Sequence, residues 1–530
     1  MRATRILLAV GAAIGACAVL PACGGTTQKT STRPLANCGT TGNPAAVSTA
    51  PPSGSWSYPG GDIANTRDAA GSTISSANVK SLRQAWTFKI TGPAAAGVAG
   101  TGSLAANPIV ENGLVYIQDL DSNVYAVALA TGKLVWECHL DKPIQSGPGP
   151  NGVAVTGGKV YGTTPTTVVA LNAATGRSIW VDSDLLGTDD GTFGIQPQVA
   201  NGRVYLATQH GTGSGGGPLM ALDATTGKLL WKFNTVTGAD AGVSAVGAGS
   251  GGAWETPLVS GDGSVTFGIG NPYQSAASAI AHPSRQLYTD SDVNLDAATG
   301  KLRWYYQGVP NDFLDHDMQT SPISATSNGV PIIIGSGKVG IVYAMTAHTG
   351  KLIWKTPVGE HNGHDDDSLL ALEHKSTLKA PYTIAPGNIG GVLSNPAVAG
   401  DTVYVVTCNV PFTATSLTQV LGRPTASLGT AGGDAEALNL ATGKVEWDTK
   451  LPGLPFGAAT VSNDLVFTTL YKGVLVAMNR DTGKIVYRVK LPTSANATIA
   501  IAGNTVLVPA GGPIAQVPGG NPQLVAYTVR

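Results

Sequence analysis

Ala130-Thr-Gly-Lys-Leu-Val-Trp136, Ala174-Thr-Gly-Arg-Ser-Ile-Trp180, Thr225-Thr-Gly-Lys-Leu-Leu-Trp231, Ala298-Thr-Gly-Lys-Leu-Arg-Trp304, His348-Thr-Gly-Lys-Leu-Ile-Trp354, Ala441-Thr-Gly-Lys-Val-Glu-Trp447 and Asp481-Thr-Gly-Lys-Ile-Val-Tyr487 are seven copies of one unit. Each follows a short β-rich run such as Val124-Tyr-Ala-Val127 or Leu219-Met-Ala-Leu222, so each reads as a hairpin. The Gly supplies the positive φ of a tight turn, and the apolar and β-branched residues on either side form paired strands. The closing Trp then has a fixed place on a strand, where it can wedge between neighbouring sheets. Spacings of roughly 40 to 90 residues suit four-stranded antiparallel blades with loop insertions. An eighth unit is signalled by Leu82-Arg-Gln-Ala-Trp86-Thr-Phe near the start and Leu524-Val-Ala-Tyr527 near the end. Strands from both ends of the chain, completing one blade, would close a ring and remove exposed sheet edges.

The bulk composition agrees with an all-β reading. The 70 glycines and 33 prolines punctuate short apolar runs instead of clustering. With 12% charged residues and a net charge of −1, nothing favours nucleic acid as a partner. At the start, Arg2 and Arg5 precede an apolar run from Ile6 to Leu20, followed by Pro21-Ala22-Cys23. This reads as an export signal, too short for a comfortable membrane span. A cysteine after small residues resembles the lipobox of bacterial lipoproteins, which makes Cys23 the lipidated first residue; Cys17 sits in a rival context, and plain secretion is the alternative. The expected organisation is a signal peptide over 1–22, a Thr/Ser/Pro/Gly-rich flexible tether over 23–55, and a propeller over 56–530. Such a protein would sit lipid-anchored on the extracytoplasmic face of the cell membrane, periplasmic or extracellular. Of the remaining cysteines Cys38, Cys138 and Cys408, two could pair, and the sequence leaves the choice open. There is no Cys-x-x-Cys-His, hence no covalently attached c-type haem in this chain.

The repeat units resemble the tryptophan-docking repeats of the pyrroloquinoline quinone (PQQ) propeller superfamily, whose members form eight-bladed propellers. Quinoprotein alcohol dehydrogenases share that repeat with non-catalytic propellers, including the lipoprotein of the outer-membrane assembly machine, so the repeat alone does not give function. Four stretches between the repeats resemble the dehydrogenases. They are Trp56-Ser-Tyr-Pro-Gly-Gly-Asp62-Ile-Ala-Asn65-Thr-Arg67, Trp254 with Gly270-Asn271-Pro272, Leu287 through Asn311-Asp312-Phe-Leu-Asp315-His-Asp317, and Gly337-Lys338-Val-Gly340-Ile-Val-Tyr343.

The resemblance assigns roles residue by residue. Trp254 would be the floor on which a flat quinone stacks. Asn271 would give its side-chain oxygen to a Ca²⁺ ion, which prefers such donors. Asp315 would lie beside that metal as the general base for a substrate hydroxyl. Lys338 would place positive charge where reduction builds negative charge, and Asn395, in Pro386-Gly-Asn388-Ile-Gly390-Gly391-Val-Leu-Ser-Asn395-Pro396, would be a further cofactor contact. Each has a plainer counterpart: a core Trp, a turn Asn before Pro, a solvated acidic loop, a strand-end Lys. His316 reads as a loop residue. Glu360-His361-Asn-Gly-His364-Asp365-Asp366-Asp367 fits no standard zinc spacing and reads as a polar rim loop.

Two departures stand against the enzyme. The region where these dehydrogenases often carry adjacent cysteines reads Gln145-Ser-Gly-Pro-Gly-Pro-Asn151, and the region expected to hold a glutamate metal ligand reads Thr208-Gln209-His210, with no carboxylate. The first expectation is therefore a PQQ- and Ca²⁺-dependent dehydrogenase of the cell envelope, resembling the branch that includes polyvinyl-alcohol dehydrogenases. It would oxidise a small or polymeric alcohol and pass electrons to a separate acceptor. The second is a non-catalytic propeller lipoprotein that serves as a protein- or polymer-binding scaffold.

Overall fold

Every Thr-Gly-Lys turn takes the conformation its sequence requires. The glycines from Gly132 to Gly483 have φ between 65° and 76°, the left-handed region that glycine enters without penalty. The Asn or Asp ahead of the turn locks it: Asn172, Asp223, Asp296, Asn439 and Asn479 accept the N–H of the turn's threonine. Glycine has a second reason to be there. A Cβ on Gly132 would fall 2.4 Å from the Trp86 ring, and one on Gly176 would fall 2.5 Å from Trp136.

The computed structural model describes residues 35–40, 54–96, 102–143, 150–187, 190–210, 216–236, 251–512 and 520–529. Among these, the chain forms an all-β array in which eight sheets share a four-stranded antiparallel core. In order along the chain they begin at Ile109–Glu111, Ala154–Thr156, Gln198–Ala200, Leu258–Val259, Ile323–Ser327, Ala397–Ala399, Thr460–Ser462 and Ala500–Ala502. The last of these is completed by Arg83–Lys89 from the start of the chain, which pairs antiparallel with Gln523–Thr528. The sequence signal for a shared terminal sheet is thus met.

Indole N–H bonds couple each sheet to the next. Trp86, Trp136, Trp180, Trp231, Trp304, Trp354 and Trp447 donate to the backbone oxygens of Leu129, Ala173, Ala224, Ala297, Ala347, Leu440 and Arg480, at 2.8–3.2 Å. Tyr487, the one aromatic variant, donates to Leu82 O at 3.4 Å, which leads back to the sheet where Trp86 began. The result is a propeller-like arrangement whose core is the set of apolar layers between sheets.

The segment before Arg83 runs across the inner strands. Backbone bonds tie it to Val110, Ser324, Val398, Val461 and Gly503 in turn. Arg67, 1% exposed, donates to Ala459 O, Asn107 Oδ1 and Ile499 O. The short helices Ala276–Ala281 and Asp367–Leu372 pack together with a small sheet of Tyr382–Ile384, Phe412–Ala414 and Arg423–Pro424. Among the described residues no helix is long and apolar enough to cross a membrane.

The cysteine pairing that the sequence leaves open is Cys38 with Cys138; Cys408 is free and buried. Cys38–Thr40 adds an edge strand to the sheet of Leu134–Cys138. The expected tether over 23–55 is thus docked at this point, because a cross-link and a ladder hold it there. The signal segment and Cys23 lie outside the described residues.

Candidate functional site

Three of the sheets begin just after a buried polar residue followed by proline: Asn107-Pro108, Gln196-Pro197 and Asn395-Pro396. Asn107 and Gln196 are joined in one buried polar network. Gln196 Nε2 donates to Asn107 O and Val153 O, Thr498 donates to Asn107 Oδ1, and Thr256 donates to Gln196 O. Asn107 and Thr498 of this network also line a cavity of about 260 Å³, together with Trp254, Glu255, Tyr273, Gln319, Lys338 and Asn395.

Three of the five residues singled out for cofactor or catalysis, Trp254, Lys338 and Asn395, therefore face one cavity. The other two stand directly behind Lys338. Its Nζ is 3.1 Å from Asp315 Oδ2 and 2.5 Å from Asp317 Oδ2, and Asn271 Nδ2 donates to Asp315 Oδ1 at 2.7 Å. Asn271 N also donates to Asp317 Oδ1 at 2.7 Å. Gly270 is obligatory between these groups, since a Cβ there would meet the Trp254 ring at 2.6 Å and Asp317 Oδ1 at 2.9 Å.

The acidic turn is held by its first member. Asp312 accepts the N–H groups of Leu314 and His316 at 2.8 Å and the Ser368 hydroxyl at 3.3 Å, so its role is to shape the loop. That shape places Asp315 at φ 62°, a conformation costly for a residue with a Cβ and concentrated at functional sites. The acids are not a solvated rim: Asp315 is 6% exposed, and Asp312 and Asp317 are fully buried. His316 is fully buried and contacts Pro386 O at 3.1 Å. His361 is likewise built in, against Gly340 O, Val358 O and Asp365.

Electrostatics follow from burial. Removal from water raises Asp315 well above the usual carboxylate range, opposed by the Lys338 ammonium and reinforced by Asp317. Burial opposes charge on Lys338, yet Asp315 and Asp317 hold it above the ordinary lysine range. Sequence reasoning missed two acids. Asp290 is fully buried and raised by desolvation and by Asp312, Asp317 and Asp315. Glu255 lines the cavity; burial pushes it up to about 7, against the Asn395 amide donating at 3.0 Å and the charge of Arg67. Its one sequence signal is its place directly after Trp254, in an otherwise uncharged stretch.

The donor set suits a hard cation. Asn271 Oδ1 is buried with no hydrogen-bond partner among the described residues, next to the Asp315 carboxylate. In the stretch Thr208-Gln209-His210, which has no carboxylate, Gln209 is 2% exposed and points its amide to Thr192 Oγ1 at 3.4 Å. Asn395 is engaged on both sides, since its Oδ1 accepts the Ser321 N–H at 2.8 Å.

Residues 56–155 and 190–365 match the family described as glucose/ethanol/alcohol dehydrogenase, beta-propeller domain. Residues 120–254 and 431–528 match outer membrane protein assembly factor BamB. The chain is 26% identical to the quinohemoprotein alcohol dehydrogenase of Comamonas testosteroni over 67% of its own length, spanning only 55% of that relative. It is 27% identical to the quinoprotein alcohol dehydrogenase PedH of Pseudomonas putida over 77% of each. Among solved structures, the quinohemoprotein alcohol dehydrogenase ADHIIG of Pseudomonas putida HK5 superposes with a TM-score of 0.74 at 20% identity, over 93% of this chain and 83% of that one. A europium-containing methanol dehydrogenase gives 0.73 at 19% identity, over 90% and 98%. BamB from Moraxella catarrhalis gives 0.51 at 14% identity, over 85% and 98%.

Proposed function

Because the chain belongs to the glucose/ethanol/alcohol dehydrogenase β-propeller family, we propose that it is a PQQ-dependent dehydrogenase that oxidises an alcohol with Asp315 as general base. The observation that carries this reading is the single cavity in which Trp254 and Lys338 meet, with Asp315 paired to Lys338 and Asn271 bonded to Asp315. The eight sheets and their circuit of aromatic contacts are read as the blades of an eight-bladed ring around that cavity.

Bound there, the quinone would supply the two-electron acceptor and Ca²⁺ the Lewis acid. The chain's own residues do the rest. Trp254 offers an indole face to a flat ring. Asn271 Oδ1 and the Asp315 carboxylate are the oxygens a cation would take. Asp315 receives the proton of the substrate hydroxyl, and its burial raises its affinity for that proton. Lys338, fixed by Asp315 and Asp317, keeps positive charge at the cavity wall where negative charge develops. Electrons leave to a separate acceptor, and the chain acts outside the cytoplasm, anchored through Cys23.

The test is reconstitution. Purified protein supplied with PQQ and Ca²⁺ should bind quinone saturably, melt at a higher temperature and reduce an artificial dye with an alcohol panel. Asp315→Asn should retain quinone binding and lose dye reduction. No saturable binding, or full activity in Asp315→Asn, discards the proposal. The scaffold reading is favoured by one observation, the absence of a carboxylate in the stretch Thr208-Gln209-His210; it predicts no quinone binding at any Ca²⁺ concentration.

A further inference from the structure

A second group of acids lies away from the central cavity, on the sheet of Ala397–Ala399, Thr402–Asn409, Gly432–Asn439 and Val445–Leu451. Asp434 and Glu436 are two residues apart on one strand and so share a face. The register sets Asp448 opposite Glu436, Lys450 opposite Asp434 on one side, and Thr407 opposite Asp434 on the other. This face looks towards the preceding sheet: Gly359, just past Leu352–Pro357, donates its N–H to Glu436 Oε1 at 2.6 Å. One carboxylate oxygen from each of Asp434, Glu436 and Asp448 lies within 4.8 Å of the others.

Two of these acids are withdrawn from water, Asp434 at 1% exposed and Glu436 at 5%, while Asp448 is exposed. Burial, with Asp448 and Asp434 alongside, pushes Glu436 up to about 7, although the Gly359 N–H opposes this. Asp434 Oδ2 accepts the Asn409 amide at 3.0 Å, and the cation in contact is Lys450, whose Nζ is 2.8 Å from the same oxygen on a side chain 66% exposed. Ion pairs this open are worth little.

An observation independent of the acids points to the same spot. Thr407 is fully buried, and its Oγ1 has no hydrogen-bond partner among the described residues. A Cβ on Gly359 would meet that oxygen at 2.8 Å, while the amide of the same glycine rests on Glu436, so hydroxyl and carboxylates converge. Asp434 Oδ1 is also buried and unpartnered. A buried hydroxyl left unsatisfied is costly, and native structures normally satisfy such groups. All the donors are oxygens, the preference of a hard divalent cation and not of zinc.

We propose that Asp434, Glu436 and Asp448, with Thr407 Oγ1, bind a Ca²⁺ ion between two adjacent sheets, and that Lys450 swings into solvent when it does. The ion would pin the backbone at Gly359 to the next sheet. This site is separate from the central cavity and does not depend on the dehydrogenase reading.

The experiment is equilibrium dialysis of the full chain against Ca²⁺ after chelator treatment, in an Asp315→Asn background that disables the central acid. One ion per chain is expected. Asp448→Asn, at an exposed position, should weaken binding at least about tenfold by removing one ligand charge. Lys450→Met should tighten binding at least about threefold by removing the competing ammonium, an effect that a merely structural role for these acids would not produce. No bound Ca²⁺ in the Asp315→Asn background overturns the proposal. So does binding indifferent to both Asp448→Asn and Lys450→Met.

Discussion

Lys338 Nζ lies 3.1 Å from Asp315 Oδ2, and both side chains are largely removed from solvent. With Asp317 at 2.5 Å, one ammonium serves two buried carboxylates. Breaking a buried pair by deleting one partner leaves an uncompensated charge, whereas an exposed pair could be lost at little cost. Lys338→Met should therefore destabilise the chain by about 3–5 kcal/mol in urea denaturation without added metal. A loss below about 1 kcal/mol would show that the acids are neutral in the folded state.

Glu255 ties stability to pH. Its folded-state value of about 7 lies above the ordinary 4.5, so the folded chain holds a proton that the unfolded chain releases between those values. The stabilisation is complete below about pH 4.5 and is lost as pH rises through about 7. Glu255→Gln, which keeps an oxygen for the Asn395 amide, should gain roughly 2–3 kcal/mol relative to the parent on going from pH 4.5 to 8. Parallel stability–pH curves for the two proteins would contradict this.

Gly176 is constrained by its own φ of 68° and by the docked ring of Trp136, 2.5 Å from where a Cβ would stand. Gly176→Ala should destabilise by about 1–3 kcal/mol. Trp136→Ala, which empties a buried site, should cost about 3–5 kcal/mol. Thermal melts of both variants test the docking arrangement.

Cys38 and Cys138 are 100 residues apart, and on the loop-entropy account closing so long a loop is worth about 4–5 kcal/mol. Cys38→Ser should lower the denaturation midpoint and release the edge strand Cys38–Thr40, read as loss of amide protection there. Cys408, buried with its thiol pushed up in pKa, should resist alkylation until the chain unfolds.

The fold was legible because its determinants are local and repeated. A turn glycine and a terminal indole within seven residues specify both the hairpin and its contact with the next sheet, so Trp136 and Gly176 announce themselves in the sequence. Trp254 was recognisable for the opposite reason: it sits outside the repeat. Glu255 and Asp290 were not legible, because their burial results from several sheets converging and no local pattern records it. The Asp434–Glu436–Asp448 group was invisible for a related reason, since only strand register brings Asp448 across to Glu436. The insertion around His361 reads as a polar rim loop, and contacts of His361 with Gly340 O and Val358 O anchor it to the neighbouring turn.

The pairing of Arg83–Lys89 with Gln523–Thr528 makes completion of that sheet depend on two strands far apart in the sequence. Arg83–Lys89 emerges from the ribosome long before its partner strand and stands as an unsatisfied edge in the meantime. Such a distant pairing must offset a large loop-closure entropy and forms slowly. Without Gln523–Thr528, Arg83–Lys89 would lose its ladder partner and Thr505–Ala510 would become an open edge, each free to pair with another chain.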